Sequence, residues 1–140
     1  WSLAILFILV IPSLISRTLR LHEDENLRVW GNGEQSRSFV HAEDVSNAIK
    51  SWIDSNEELP EVIQIGSPNG TKISDLAKLI LKACKRKNKI QYDNDMPTGD
   101  FGRSCDFTIA KRFLDWEPNV SLMEGLKVKD VFNACLKIIS

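Results

Sequence analysis

Two stretches of this chain repeat apolar residues at the spacing of a helix face, and each lies between short runs that read as extended backbone. Val45, Ala48, Ile49, Trp52 and Ile53 form the first stripe, and Ile73, Leu76, Ala77, Ile80 and Cys84 the second. Residues three and four apart share one side of a helix, whereas a strand alternates every second residue. The extended runs are 27–30, 37–41, 62–65 and 90–92. A chain that switches between the two periods in this way belongs to the α/β class, in which the first striped helix lays its apolar face on a sheet.

The connections carry turn chemistry. Gly31-Asn32-Gly33-Glu34-Gln35-Ser36 joins the first two extended runs, and Gly66-Ser67-Pro68-Asn69-Gly70 ends the third. Asp44 is placed to cap the first striped helix, and Asp106 a short helix reaching Leu114, which Trp116-Glu117-Pro118 ends. Ser121 and Glu124, three apart, form a capping box that opens a last helix with Val128, Val131, Phe132, Cys135 and Ile139 on one side. Near the start, 13–21 reads as a short helix with Pro12 at its first turn, and 93–103 reads as a surface loop.

Composition narrows the function classes. Lysine and arginine number 18 against 19 acidic residues, so the net charge of −1 gives no broad basic field for nucleic acid or an anionic membrane. The basic run from Lys82 to Lys89 stands at the end of the second striped helix, where the helix dipole favours positive charge. Cys84, Cys105 and Cys135 are an odd set without metal-ligand spacing, which points to reduced thiols and a cytoplasmic protein. Cys105, two residues from Arg103, reads as a packing residue rather than a reactive thiol. The apolar run 3–11 has no basic residue before it and is cut by Pro12 and Ser13 short of the roughly 18 to 20 residues of a membrane span, so membrane association is not expected. Residues 1–9 read as an apolar leader, either a buried strand or helix or sequence foreign to the domain, and 10–140 as one nucleotide-sugar-binding domain once the resemblance below is counted.

The chemistry-bearing residues suit ligand binding better than catalysis. Gly31-Asn32-Gly33 lacks the third glycine of a dinucleotide fingerprint, since Ser36 stands there, and an extended run follows it instead of a helix. Tyr92, the only tyrosine, has no lysine four residues on, and neither His22 nor His41 belongs to a recognisable triad. What remains is Trp30 at the end of one extended run, Arg37 at the start of the next, and Arg103 far along the chain. A guanidinium binds two phosphate oxygens through parallel hydrogen bonds, and two such forks can grip a diphosphate while an indole walls a base or sugar.

The run from Val29 to Val45, with Trp30-Gly31-Asn32-Gly33 followed by Arg37, Phe39 and Asp44, resembles the hallmark of the NAD-dependent epimerase/dehydratase family, the extended short-chain dehydrogenases that act on nucleotide sugars as epimerases, dehydratases and decarboxylases. Further segments are similar in order: Ile11-Pro12-Ser13-Leu14-Ile15, Ile65-Gly66-Ser67, Gly99-Asp100 with Arg103 and Asp106, Leu114-Asp115-Trp116-Glu117-Pro118, and Glu124-Gly125-Leu126. The resemblance implies the C-terminal substrate-binding lobe of a Rossmann-type enzyme whose cofactor domain is missing. It implies that Arg37 and Arg103 bind the nucleotide diphosphate, that Arg28 and Trp30 line the base, and that the backbone of Val10 faces the nucleotide. Gln64 stands where the family has an asparagine that meets the ligand, and Asp115 replaces a glycine of the tail motif. The three-residue step from Arg103 to Asp106 resembles GDP-mannose 3,5-epimerases, an isomerase subgroup. NAD is then the cofactor of the parent enzyme, held by the missing Rossmann domain, through which family members usually form homodimers. The ligand is a nucleotide-diphosphate sugar, and this chain alone carries no catalytic residue. The rival reading is a truncated, non-catalytic remnant that binds a nucleotide sugar or a partner.

Overall fold

The computed structural model describes residues 10–96, 101–102 and 104–127, so the leader 1–9, Gly99, Asp100, Arg103 and the stripe from Val128 to Ile139 lie outside the described residues. The first helix, α1, covers Val10–Arg20 and takes in Pro12, earlier than the expected start at Ser13. Proline is tolerated there because the first four amides of a helix have no partner within it. Leu14, Ile15 and Thr18 are fully buried on one side of α1. Strand β1 (Leu27–Trp30) follows, and it buries Leu27 and Val29 while Arg28 and Trp30 point outward. β1 pairs in parallel with β4 (Ile90–Asp93), Leu27 opposite Ile90 and Val29 opposite Tyr92.

A second, two-residue ladder is antiparallel: β2 (Ser36–Arg37) runs against β3 (Thr71–Lys72), with Arg37 opposite Thr71. Among the described residues, the extended run expected over 37–41 therefore pairs only at its first residue. Its partner strand ends at Lys72 because helix α3 (Ile73–Ala83) begins at the next residue. The stripe of α3 behaves as its spacing predicts. Ile73, Leu76, Ala77 and Ile80 are buried and Cys84 caps the end half-buried, joining Leu14, Ile15, Leu27 and Val29 in the main core.

Helix α3 stops through a left-handed residue that is not glycine. Arg86 N–H reaches Leu81 O at 2.8 Å and Lys85 N–H reaches Lys82 O at 3.1 Å, the paired bonds of a Schellman ending, with Lys85 at φ 55°. An L-residue with a Cβ is strained by about 1–2 kcal/mol in that region. Against this, glycine gives the unfolded chain about 0.4–1 kcal/mol of extra freedom. Lys85→Gly should therefore raise the unfolding free energy by about 0.5–1 kcal/mol in urea melts, and a lower midpoint would count against the motif.

Helix α2 (Ala42–Asp54) corrects two expectations. Its cap is His41, not Asp44: the His41 backbone is extended and its Nδ1 accepts from Glu43 N–H at 3.3 Å. Asp44 sits one turn further in, 2% exposed, where its carboxylate accepts from Val120 N–H at 3.0 Å. The second correction concerns the apolar stripe. Ala48 is buried, yet Ile49, Trp52 and Ile53 are 52%, 56% and 69% exposed, so most of the stripe lies on no sheet among the described residues.

The run 62–65 likewise forms no strand among the described residues, although Ile63 and Ile65 pack on a second small core of Ala48, Ala110, Leu114 and Trp116. Its burial alternates as in a strand, with Val62 and Gln64 exposed and Ile63 and Ile65 half-buried, but no ladder partner stands among the described residues. Helix α4 (Thr108–Leu114) starts where Asp106 accepts from Thr108 N–H at 2.9 Å, and it ends at Asp115 with φ 49°. Asp115 thus takes the left-handed conformation for which glycine is the usual residue. Helix α5 (Leu122–Lys127) opens with the expected box: Glu124 N–H donates to Ser121 Oγ at 3.3 Å, and Ser121 N–H donates to Glu124 Oε2 at 3.0 Å.

Candidate functional site

The turn from Gly31 to Ser36, whose last residue opens β2, is built by glycine and fixed by a helix. Gly31 and Gly33 have φ of 71° and 76°, values that a Cβ disfavours. Asn32 Oδ1 accepts from Glu34 N–H at 3.0 Å. Gly33 O and Gln35 O take the first two amides of α3, from Ser74 and Ile73, both at 2.9 Å. Those amides are consumed by the turn and are not open to a phosphate.

Inside the turn, Gln35 is buried and its Nε2 donates to Trp30 O at 3.0 Å, which ties the two ends of the turn together. Residue spacing gives no sign of Gln35, although a long amide amid turn formers is the kind of side chain that bonds loop backbone. The Lys72 ammonium closes the outside of the turn on Glu34 at 2.7 Å.

The turn presents Trp30 half-exposed at one end and Arg37 half-buried at the other. Arg37 Nη1 donates to Ser36 O at 2.7 Å, which holds the guanidinium back along its own strand. Phe101 reaches the same strand, since its carbonyl accepts from Ser36 N–H at 2.9 Å, and its ring is largely exposed. Arg103 follows two residues on and lies outside the described residues.

Arg28 is drawn into a contact that its position in the sequence did not reveal. Its Nη2 meets Asp93 Oδ2 at 2.7 Å, while its carbonyl accepts from Arg17 Nη1 at 2.8 Å. Burial lowers the pKa of Arg17, which nevertheless keeps three bonds, the others being to Ser13 O and Ser13 Oγ. Arg28 therefore also fastens β1 to β4 and α1 to β1. Val10 stands at the first residue of α1, half-buried against the main core. Gln64 is exposed on the unpaired run 62–65, apart from the contacts that build the turn.

The loop 104–107 is anchored from the other side. Ser38 Oγ donates to Ser67 O at 2.7 Å and Cys105 N–H to the same carbonyl at 3.3 Å. A Cβ on Gly66 would lie 2.7 Å from Cys105 Cβ, so the thiol packs against bare backbone. Burial, with a smaller contribution from Asp106, raises the pKa of Cys105, which agrees with a packing role.

The turn at Gly33 does not fit the pyrophosphate of a dinucleotide. A Cβ on Gly33 would meet Tyr92 Cε1 at 2.5 Å and Ser74 Cβ at 3.0 Å, so the space beside this glycine is filled by the protein itself rather than left open to a pyrophosphate. Among the described residues no group of His, Cys, Asp or Glu could hold a metal ion. Likewise, among them no helix is long and apolar enough to cross a membrane.

Residues 10–66 match the sequence profile of the NAD dependent epimerase/dehydratase family. UDP-glucuronic acid decarboxylase 1 of Xenopus tropicalis is 32% identical over 108 residues, which are 77% of this chain and 25% of that protein. The UDP-glucose 4-epimerase of Thermotoga maritima, solved with UDP-glucose, superposes with a TM-score of 0.75 at 32% identity, covering 91% of this chain and 40% of the epimerase. The chain is a relative of the NAD-dependent epimerases and dehydratases.

A UDP-glucuronic acid 4-epimerase of Bacillus cereus, solved with a UDP sugar and NAD, shares the fold at TM-score 0.76 and 24% identity, covering 93% of this chain and 41% of its own. The α/β class read from the periodicity is thus the fold of this part of those enzymes. The chain spans between a quarter and about two fifths of the relatives it matches.

Proposed function

We propose that this chain supplies the nucleotide-sugar-binding surface of an NAD-dependent sugar-nucleotide epimerase or dehydratase. The observation that carries the reading is the pinned turn 31–36, which holds an indole face and a guanidinium at its two ends. The ends are fixed by backbone bonds, so little ordering entropy remains to be lost when a ligand arrives. A half-buried guanidinium makes stronger charge-assisted bonds to phosphate than an exposed one. Trp30 provides the flat wall for a base, and Arg103 the second fork on the far side of the diphosphate.

In this reading the remainder of the polypeptide holds NAD and the catalytic pair, and the protein works among reduced thiols in the cytoplasm. The enzymes it resembles carry UDP, GDP and dTDP sugars in their names. Within that range the step from Arg103 to Asp106 favours an epimerase of the GDP-mannose 3,5 kind.

Calorimetric titration with UDP and with GDP tests the surface. Arg37→Ala should weaken binding at least tenfold, about 1.4 kcal/mol. An unchanged Kd, or no binding to the unaltered chain, would remove the diphosphate assignment. The tighter of the two nucleotides identifies the base.

A further inference from the structure

Asn32 and Asn69 are the two asparagines of the chain that precede glycine. In such a pair the glycine amide nitrogen can attack the asparagine side-chain carbonyl, because no Cβ on the second residue shields the approach. The fold treats the two pairs oppositely. Gly33 is buried at φ 76°, its carbonyl accepts from Ser74 N–H at 2.9 Å, and Asn32 Oδ1 is held by Glu34 N–H at 3.0 Å. The nitrogen of Gly33 cannot close on Asn32 Cγ without opening that turn. Asn69 and Gly70 are both exposed, in the connection between the run 62–65 and β3 and outside any helix or strand. Among the described residues the side-chain amide of Asn69 has no hydrogen bond, and its backbone meets Ser67 Oγ at 3.4 and 3.5 Å, beyond the usual hydrogen-bond range.

We propose that Asn69-Gly70 is a site of spontaneous deamidation, and that its isoaspartate product loosens the strand that presents Arg37. The Gly70 nitrogen gives its proton to solvent base and bonds to Asn69 Cγ, while the Cγ–Nδ2 bond breaks and ammonia leaves. Water then opens the cyclic imide. Addition at Cγ leaves aspartate. Addition at the main-chain carbonyl carbon leaves isoaspartate, in which the backbone runs through Cβ and Cγ and is longer by a methylene. Water is the only co-reactant. The lengthened backbone falls two residues before Thr71, whose Cα stands opposite Arg37 in the short ladder of β2 and β3. A ladder of that length has no further pairs to hold its register.

Ageing the folded chain in warm, mildly alkaline buffer tests the site. Trypsin separates the two pairs into peptides 29–37 and 51–72, and mass spectrometry reads the conversion of amide to acid in each. Asn69 should convert at least about tenfold faster than Asn32, which must wait for local opening of its turn. In urea the two rates should converge. Equal rates in the folded chain, or an Asn69 that stays intact while Asn32 converts, would overturn the assignment. Hydrogen exchange over 36–37 should quicken in the aged chain and not in Asn69→Asp, which carries the new charge without the longer backbone. Unchanged exchange in the aged chain would overturn the consequence for Arg37. UDP or GDP binding is titrated separately, so absence of binding by the fresh chain would remove the functional reading and not this one.

Discussion

Gly33→Ala should destabilise the protein by about 2–3 kcal/mol, because it offends both the backbone and its neighbours. At φ 76° a Cβ costs about 1–2 kcal/mol on its own. The new methyl would also lie 2.5 Å from Tyr92 Cε1 and 3.0 Å from Ser74 Cβ. The Tyr92 ring is partly exposed and can swing aside, whereas Ser74 is buried in the first turn of α3 and cannot. Relief by movement of the turn would break Ser74 N–H to Gly33 O and loosen Trp30 and Arg37 together. Urea unfolding measures the stability, and nucleotide titration of the still-folded variant measures the turn. A loss below about 0.5 kcal/mol would show that the turn is not held as described. Adding Tyr92→Ala should restore only the part due to overlap.

Asp44→Ala should cost about 2–3 kcal/mol, the range for a buried hydrogen bond to a charged group with some loss of packing. Its carboxylate is 2% exposed and accepts from Val120 N–H, while its carbonyl accepts the indole N–H of Trp116 at 2.7 Å. Removing the carboxylate leaves the Val120 amide unsatisfied and frees the segment that leads to the capping box of α5. Negative charge in the first turn of α2 also meets the favourable end of the helix dipole. Asp44→Asn keeps an acceptor of the same shape and should cost less than half as much when both variants are unfolded in urea. Equal losses for the two variants would mean that the bond to Val120 contributes little.

These two residues also show how far the sequence reading reached. The turn at Gly31 to Ser36 was legible because glycine supplies positive φ and asparagine bonds the backbone two residues on. Asp44 was recognised as belonging to the start of a helix, but its role as cap was misassigned. Capping preference ranks aspartate high wherever it precedes an apolar stripe, and it does not show that Val120, distant in sequence, waits for the carboxylate. His41 took the cap instead, one residue before the helix.

The contact between Arg28 and Asp93 was invisible for the same reason, since it depends on β1 and β4 lying parallel across 65 residues of chain. Arg17 shares that character, since it bonds the backbone of β1 that the fold brings beside α1, whereas Gln35 bonds within its own turn. Among the proposed ligand residues, the structure sets Trp30 and Arg37 at two ends of one turn and places Val10 and Gln64 elsewhere.

What the sequence by itself determined is local or periodic: the α/β class, the buried stripe of α3, the parallel partner segments as strands, and the capping box at Ser121. Each follows from neighbours within a few residues, where sterics and hydrogen-bond reach act directly. Which faces are covered was decided only by the tertiary structure. The stripes of α2 and α3 are alike in spacing, yet α3 is buried under α1 and β1 while Ile49, Trp52 and Ile53 remain open. An apolar face specifies that burial is favourable and not what supplies it, because the hydrophobic effect has no direction and the partner is chosen by the path of the rest of the chain.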